Sequence, residues 1–227
     1  MASINDTKVH IKAMPRAIPK PPLSVELQTL ADFGVQQSFR KGAIIVNETE
    51  LGDALYILIQ GRVRVYSADT SGKAITLGTI LSGDFFGEMS IDGGTRSATV
   101  EALEPCLCAV VPNTHVLTYI RNNSEFAISL LKTTIVRARA ATQAARDMAL
   151  LDVYGRLAQT LNHLAKVTTG DPTPKTITPL ITHSELASHV GASREMVSKL
   201  MKDLERGGYI QVNTRQITLL RKLPAKW

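Results

Sequence analysis

Residues 125–150, EFAISLLKTTIVRARAATQAARDMAL, contain no glycine or proline and are rich in helix formers. Ile128, Leu131, Ile135, Ala138, Thr142, Ala145 and Ala149 follow one another at alternating intervals of three and four residues. That is a heptad seam held for about three repeats, and it predicts one long helix with a narrow apolar stripe. The small residues in the second half of the stripe let another helix approach closely. Two apolar positions in seven suit a parallel twin helix better than a globular face, so a homodimer through residues 125–150 is expected.

The texture of the chain differs on the two sides of this rod. Residues 1–22 hold four prolines without apolar periodicity and are expected to form a flexible N-terminal arm. Residues 23–33 fit one short helix. From Phe39 to Pro112 the chain breaks into short runs such as ALYILI and RVRVY, and nine of its fifteen glycines lie between Gly42 and Gly94. Alternation in Arg62-Val63-Arg64-Val65, with turn signals recurring through the segment, predicts a sandwich or barrel of short strands. The expected organisation is therefore an arm over 1–22, a β domain over 23–123, a dimerisation helix over 124–150 and a further domain over 151–227.

In that last segment Asp152 is placed to cap a helix over roughly Val153–Lys166, with a bend at Leu150–Asp152. TTGDPTP (168–174) reads as a loop. Thr182 and Glu185 form a capping box that opens a helix at 183–190. Leu186, Ala187 and Val190 face inward, Gly191 supplies a tight turn, and Ser193 caps a second helix whose Val197 and Leu200 pack back. Helix, glycine turn and helix at this spacing are the helix-turn-helix pattern of DNA-binding proteins, and the hairpin after Gly207-Gly208 makes a wing. The second helix presents Arg194, Glu195 and Lys199 outward. There an Arg can bridge guanine O6 and N7, and a Glu can accept from a cytosine amino group. Thr182, His183, Ser193, Ser198 and Lys202 complete the candidate DNA-binding set, with His183, Ser193 and Lys202 placed for phosphates.

Charge agrees with that division. The net charge of +6 separates into +3 over residues 1–22, −2 over 23–150 and +5 over 151–227, so the C-terminal part is the one expected to meet a polyanion. No apolar run approaches the length of a membrane span, and the N-terminus has no apolar leader, so no membrane partner and a cytoplasmic location are expected. Cys106 and Cys108 sit two apart, share a face if on a strand, and read as small buried hydrophobes rather than metal ligands. No phosphate loop ending in Lys, no HExxH and no nucleophile–base pair is found, and an enzyme is not expected.

The runs LYILIQGRVRV, GDFFGEMS…RSATV, LLDVYGRLAQTL and VGASREMVSKLMKDLERGGYI together resemble the cyclic AMP receptor protein family, the Crp/Fnr regulators. The resemblance covers the chain from about Leu23. It implies an α+β protein with an N-terminal cyclic-nucleotide-binding β-roll (jelly-roll-like), a long dimerisation helix and a C-terminal winged helix-turn-helix. It also implies a phosphate-binding cassette in which Glu88 accepts from a ribose hydroxyl and Arg96 pairs with a cyclic phosphate. Ser97 and backbone N–H groups near Gly87 and Ala98 assist, and Met89 lines the same turn. Such a set suits a phosphate ester on chemical grounds, since an Arg fork matches its oxygens and N–H groups favour an anion. Arg96 is expected to be exposed until ligand arrives, so that its removal leaves the fold intact.

The resemblance further implies an effector-controlled, sequence-specific transcription regulator, binding palindromic double-stranded DNA with TGTGA-like half-sites and contacting RNA polymerase through the loop Val167–Lys175 and the wing. Three departures from the family pattern stand out. The span from Glu88 to Arg96 is one residue shorter than in many members, and Thr49 stands where many have glycine. The adjacent hydroxyls that contact adenine correspond to Ala141, which has no side-chain donor, and Thr142, which lies on the seam and can reach the base; cyclic AMP is the expected effector, with cyclic GMP and cyclic di-GMP open. A constitutive DNA-binding protein with a vestigial pocket is the alternative. Residues 1–40 hold no cysteine for an iron–sulfur cluster, and His10 and His115 are too isolated for haem; no metal is expected.

Overall fold

The computed structural model describes residues 23–72, 74–169, 175–177, 181–214 and 216–224. The expected arm, residues 1–22, lies outside the described residues, as do most of the loop over 168–174 and Arg215 of the wing.

A short helix, α1 (Val25–Ala31), is capped by the Ser24 hydroxyl, which accepts from the Leu27 N–H at 3.3 Å. Strands β1 (Val35–Phe39), β2 (Ile44–Val46), β3 (Ala54–Gln60), β4 (Arg62–Ala68), β5 (Ala74–Leu81), β6 (Phe85–Phe86), β7 (Thr99–Ala102) and β8 (Cys106–Pro112) follow. They form two four-stranded antiparallel sheets in the orders β1-β8-β3-β6 and β2-β7-β4-β5. Alternation along β3 explains how they stack. Leu55 and Ile57 point to α1 and the helices after β8, while Tyr56 and Leu58 point between the sheets. A strand covered on both faces is apolar at nearly every position, as ALYILI is.

Cys106 and Cys108 of β8 share the inter-sheet face, are free thiols and are buried. Burial pushes the Cys108 thiol up to about 12, which leaves it a packing residue rather than a nucleophile.

After β8 come α2 (Asn113–Asn122) and α3 (Ser124–Leu150). Asn123 caps α3 by accepting from the Phe126 N–H at 2.9 Å, and Phe126 anchors the helix in the β-roll core. Beyond that anchor the heptad residues lie on the surface: Leu131 is 59% exposed and Ile135 40%. The Asp152 carboxylate then accepts from the Gly155 N–H at 2.7 Å, starting α4 (Val153–Thr169) after a break at extended Leu151.

The C-terminal unit packs α4, α5 (His183–Val190) and α6 (Arg194–Arg206) around Leu157, Leu161, Leu186, Val197 and Leu204. Its wing is a three-stranded sheet, not a lone hairpin. Strands β10 (Ile210–Val212) and β11 (Ile217–Leu219) are joined by β9 (Lys175–Ile177), in the order β10-β11-β9. β9 falls at the end of a stretch read as loop, because three residues carry no period. Among the described residues, no helix is long and apolar enough to cross a membrane, and no cluster of three or more His, Cys, Asp or Glu could hold a metal ion.

Candidate functional site

β6 delivers the chain into a tight corner. Gly87 follows Phe86 with φ 87°, and the turn Glu88–Ser90 completes the reversal. The left-handed backbone favours glycine here, and space demands it: a Cβ at Gly87 would lie 2.6 Å from Arg96 Nη1.

Arg96 is 7% exposed. Its Nη1 donates to the Gly87 carbonyl at 2.9 Å and to the Ser90 hydroxyl at 2.8 Å, and its Nη2 donates to the Ala54 carbonyl at 2.9 Å. The Tyr56 ring lies 5.6 Å from the guanidinium carbon. Burial pushes the Tyr56 phenol up, and the Arg96 charge opposes that shift. The expectation that Arg96 stays exposed is therefore corrected. The polar floor built by Gly87, Ser90 and Ala54 gives the guanidinium acceptors, and a charge so surrounded is at home inside the roll.

Glu88 is held by a residue that spacing along the chain does not reveal. Arg137, on α3, lies 3.0 Å from the Glu88 carboxylate, which is 9% exposed. The same guanidinium meets Asp84 at 3.1 Å, donates to the Phe85 carbonyl at 2.7 Å and sits over the Phe85 ring. The long helix is thus joined directly to the cassette. The nearest sequence signal is a long cationic side chain off the seam in an alanine-rich helix.

The other cassette residues are gathered nearby. Ser97 is exposed and its hydroxyl donates to the Met89 sulfur at 3.1 Å; Met89 is exposed, and Ala98 is buried beneath. An exposed hydroxyl, a guanidinium bonded beneath a glycine corner and a carboxylate beside it fit a sugar phosphate chemically. Thr142 stands apart. It is five residues beyond Arg137, roughly 140° around the helix, and its hydroxyl donates to the Ala138 carbonyl at 3.0 Å. Within one chain it is not brought to the cassette; it lies on the exposed seam.

In the C-terminal unit, the Thr182 hydroxyl accepts from the Glu185 N–H at 3.1 Å, and the Glu185 carboxylate accepts from the Thr182 N–H at 2.7 Å. Thr182 is thereby committed to capping α5. Gly191 turns the chain with φ 63°, and the Ser193 hydroxyl accepts from the Met196 N–H at 3.2 Å to start α6. Arg194, Glu195, Lys199 and Lys202 are exposed along the outer face of α6, opposite buried Val197, Leu200 and Leu204. His183 Nδ1 lies 2.9 Å from the Ser198 hydroxyl, tying α5 to α6. Met196, 46% exposed beside these charges, was not foreseen. At Gly191 three elements converge, since a Cβ there would lie 2.8 Å from Met148 of α3 and 3.9 Å from Ile75 of β5.

Residues 36–123 match the family model of the cyclic nucleotide-binding domain, and residues 155–222 match that of the Crp-like helix-turn-helix domain. The cAMP-activated global transcriptional regulator CRP of Pasteurella multocida is 33% identical over 177 residues, 77% of this chain and 85% of that protein. The cAMP-activated global transcriptional regulator Vfr of Pseudomonas aeruginosa is 32% identical, over 74% of this chain and 80% of its own. Among solved structures, the c-di-GMP responsive global regulator CLP of Xanthomonas campestris superposes with a TM-score of 0.74 at 23% identity, covering 86% of this chain and 98% of that one.

Proposed function

This chain belongs to the Crp/Fnr family of transcription regulators, with a cyclic nucleotide-binding domain and a helix-turn-helix domain, and from that premise we propose that it is a homodimer whose hold on DNA is set by cyclic AMP. The observation that carries this reading is the ion pair between Glu88 and Arg137. It places the residue expected to meet the ribose in direct contact with the helix that leads to the DNA-binding unit. A nucleotide competing for Glu88 acts on α3 and on the bend at Leu150–Asp152, and so on the orientation of α6. It shifts that orientation only by its differential affinity for the two arrangements.

Cyclic AMP is favoured because the two relatives named above, at 33% and 32% identity, are cAMP-activated regulators. Cyclic GMP and cyclic di-GMP are the alternatives, since Ala141 offers a base no side-chain donor and the hydroxyl of Thr142 is bonded within its own helix. Phosphate contacts fall to Arg96, Ser97 and the backbone at Gly87 and Ala98. Arg194, Glu195 and Lys199 read a TGTGA-like half-site, and the twin α3 helices set two such half-sites one DNA turn apart, about 34 Å. Residues 167–175 and the wing are the candidate contacts to RNA polymerase. The work of such a protein is cytoplasmic, and its domains divide at residues 123 and 150.

A second reading, constitutive DNA binding with a disused pocket, draws support from the three protein acceptors already taken by Arg96. Calorimetric titration with cyclic AMP, cyclic GMP and cyclic di-GMP, paired with DNA affinity in the presence and absence of each, separates the two. One nucleotide that binds and changes DNA affinity names the effector. No binding, with unaltered DNA affinity, overturns nucleotide control in favour of the second reading.

A further inference from the structure

We propose that His183 is a proton-linked contact to DNA phosphate, held in place by Ser198 of the recognition helix. This rests on the DNA-binding reading of α5 and α6.

His183 opens α5 half-buried, with Nδ1 2.9 Å from the Ser198 hydroxyl on α6. That bond fixes the ring plane and leaves Nε2 as the nitrogen not engaged by Ser198. A neutral imidazole carries one ring proton. If the proton sits on Nδ1 and is donated to Ser198, Nε2 presents a lone pair that repels a phosphate oxygen. If Ser198 donates instead, Nε2–H meets the phosphate without a full charge. Only the protonated ring donates at both ends, with a charge-assisted bond to the phosphate. A bound duplex therefore favours the charged ring, and binding takes up a proton.

The neighbouring groups leave this role to His183. On α5 the Glu185 carboxylate is turned onto the Thr182 N–H and hydroxyl at 2.7 and 2.8 Å. On α6, Lys199 and Lys202 are exposed beside Ser198, with Glu195 one turn earlier. On α4, Arg156 donates to the Val190 carbonyl at the far end of α5, and His163 is exposed. On α5 itself, His189 Nδ1 lies 2.8 Å from the Glu185 carbonyl. The strand packed against α5, β5, carries no titratable side chain. Imidazole is the side chain whose charge ordinarily changes between about pH 5 and 8. The sign is set by the contact: affinity is greatest at low pH and is lost as pH rises.

The test is fluorescence anisotropy with a labelled palindromic duplex carrying two TGTGA half-sites, at about pH 6 and about pH 8 and fixed ionic strength, with and without cyclic AMP. Wild type is expected to bind roughly five- to tenfold tighter at the lower pH. His183→Ala loses most of that difference, and His183→Lys binds tightly at both pH values with none. Ser198→Ala keeps the charge but frees the ring, and shrinks the difference to about twofold. A scrambled duplex shows the same pH ratio, because phosphates carry no sequence. Circular dichroism of each variant confirms that it is folded. A pH difference that survives intact in His183→Ala overturns the inference while the DNA-binding reading stands. Failure of wild type to bind any duplex at either pH overturns that reading and the inference with it.

Discussion

Arg137 of the long helix reaches Glu88 of the cassette at 3.0 Å, where the carboxylate is 9% exposed and the guanidinium 29%. Partial burial makes this pair worth more than a surface bridge, while the remaining exposure of Arg137 keeps it below the cost of a fully buried one. Arg137→Ala is expected to destabilise the protein by about 1–2 kcal/mol. A double-mutant cycle with Glu88→Gln, followed by urea unfolding, reads the coupling directly. Coupling indistinguishable from zero means the two residues are neighbours without a shared energy.

Arg96 makes a sharper case. Truncation removes the donor to the Gly87 and Ala54 carbonyls and to the Ser90 hydroxyl, which is itself 1% exposed in this floor. Arg96→Ala should therefore cost about 2–4 kcal/mol of folding stability, in addition to any loss of nucleotide response. Arg96→Lys restores charge but not the fork, and should fall between. Urea midpoints of the three proteins settle the order. An alanine variant as stable as wild type means these bonds add nothing net.

Thr49 carries φ 72°, the one non-glycine residue with positive φ among those described. A β-branched side chain is strained there, although its N–H is used, donating to the Arg96 carbonyl at 2.9 Å. Thr49→Gly relieves that strain and keeps the N–H, at some cost in unfolded-chain entropy. The net expectation is stabilisation by roughly 0.5–1 kcal/mol, seen as a higher melting temperature. A lower melting temperature indicates that the threonine side chain contributes packing that outweighs its backbone.

The exposed stripe on α3 gives a further expectation. Leu131 is 59% exposed and Ile135 40%, so an aspartate at either position leaves the β-roll core untouched. In a twin-helix interface the same charge is buried against its copy. Leu131→Asp should convert a dimer to a monomer by light scattering, with unchanged far-ultraviolet circular dichroism. A dimer that persists places the interface elsewhere on the chain.

What the sequence made legible was whatever has a period or a cap. The span of α3, the Thr182–Glu185 box and the inward Val197 and Leu200 all follow from local rules that act within a turn or two. The side-chain directions at the cassette do not. Arg96 turns inward because Ala54, far away in the chain, supplies one of its acceptors, and Glu88 is met by an arginine from another element. Neither partner is set by spacing. β9 escaped because three residues show no alternation, and its place depends on the free edge of β11. The resemblance supplied the expectation of which residues form the cassette; only packing shows how they are held.

Arg194 stands at the start of α6, exposed, on a helix whose opposite face is sealed by Val197, Leu200 and Leu204. Rotation about the helix axis is thus fixed by the core, which leaves Arg194, Glu195, Lys199 and Lys202 outward. An arginine there can form two bonds to a guanine edge, whereas Lys202, two turns later, is expected to meet phosphate. Arg194→Ala should cost about 1–3 kcal/mol on the cognate half-site and much less on scrambled DNA. Lys202→Ala should weaken both about equally and lower the salt dependence by roughly one counterion per half-site. Titrations of both variants against both duplexes at two salt concentrations distinguish the roles. Equal losses for Arg194→Ala on the two duplexes make it a backbone contact and move base reading to Glu195 and Lys199.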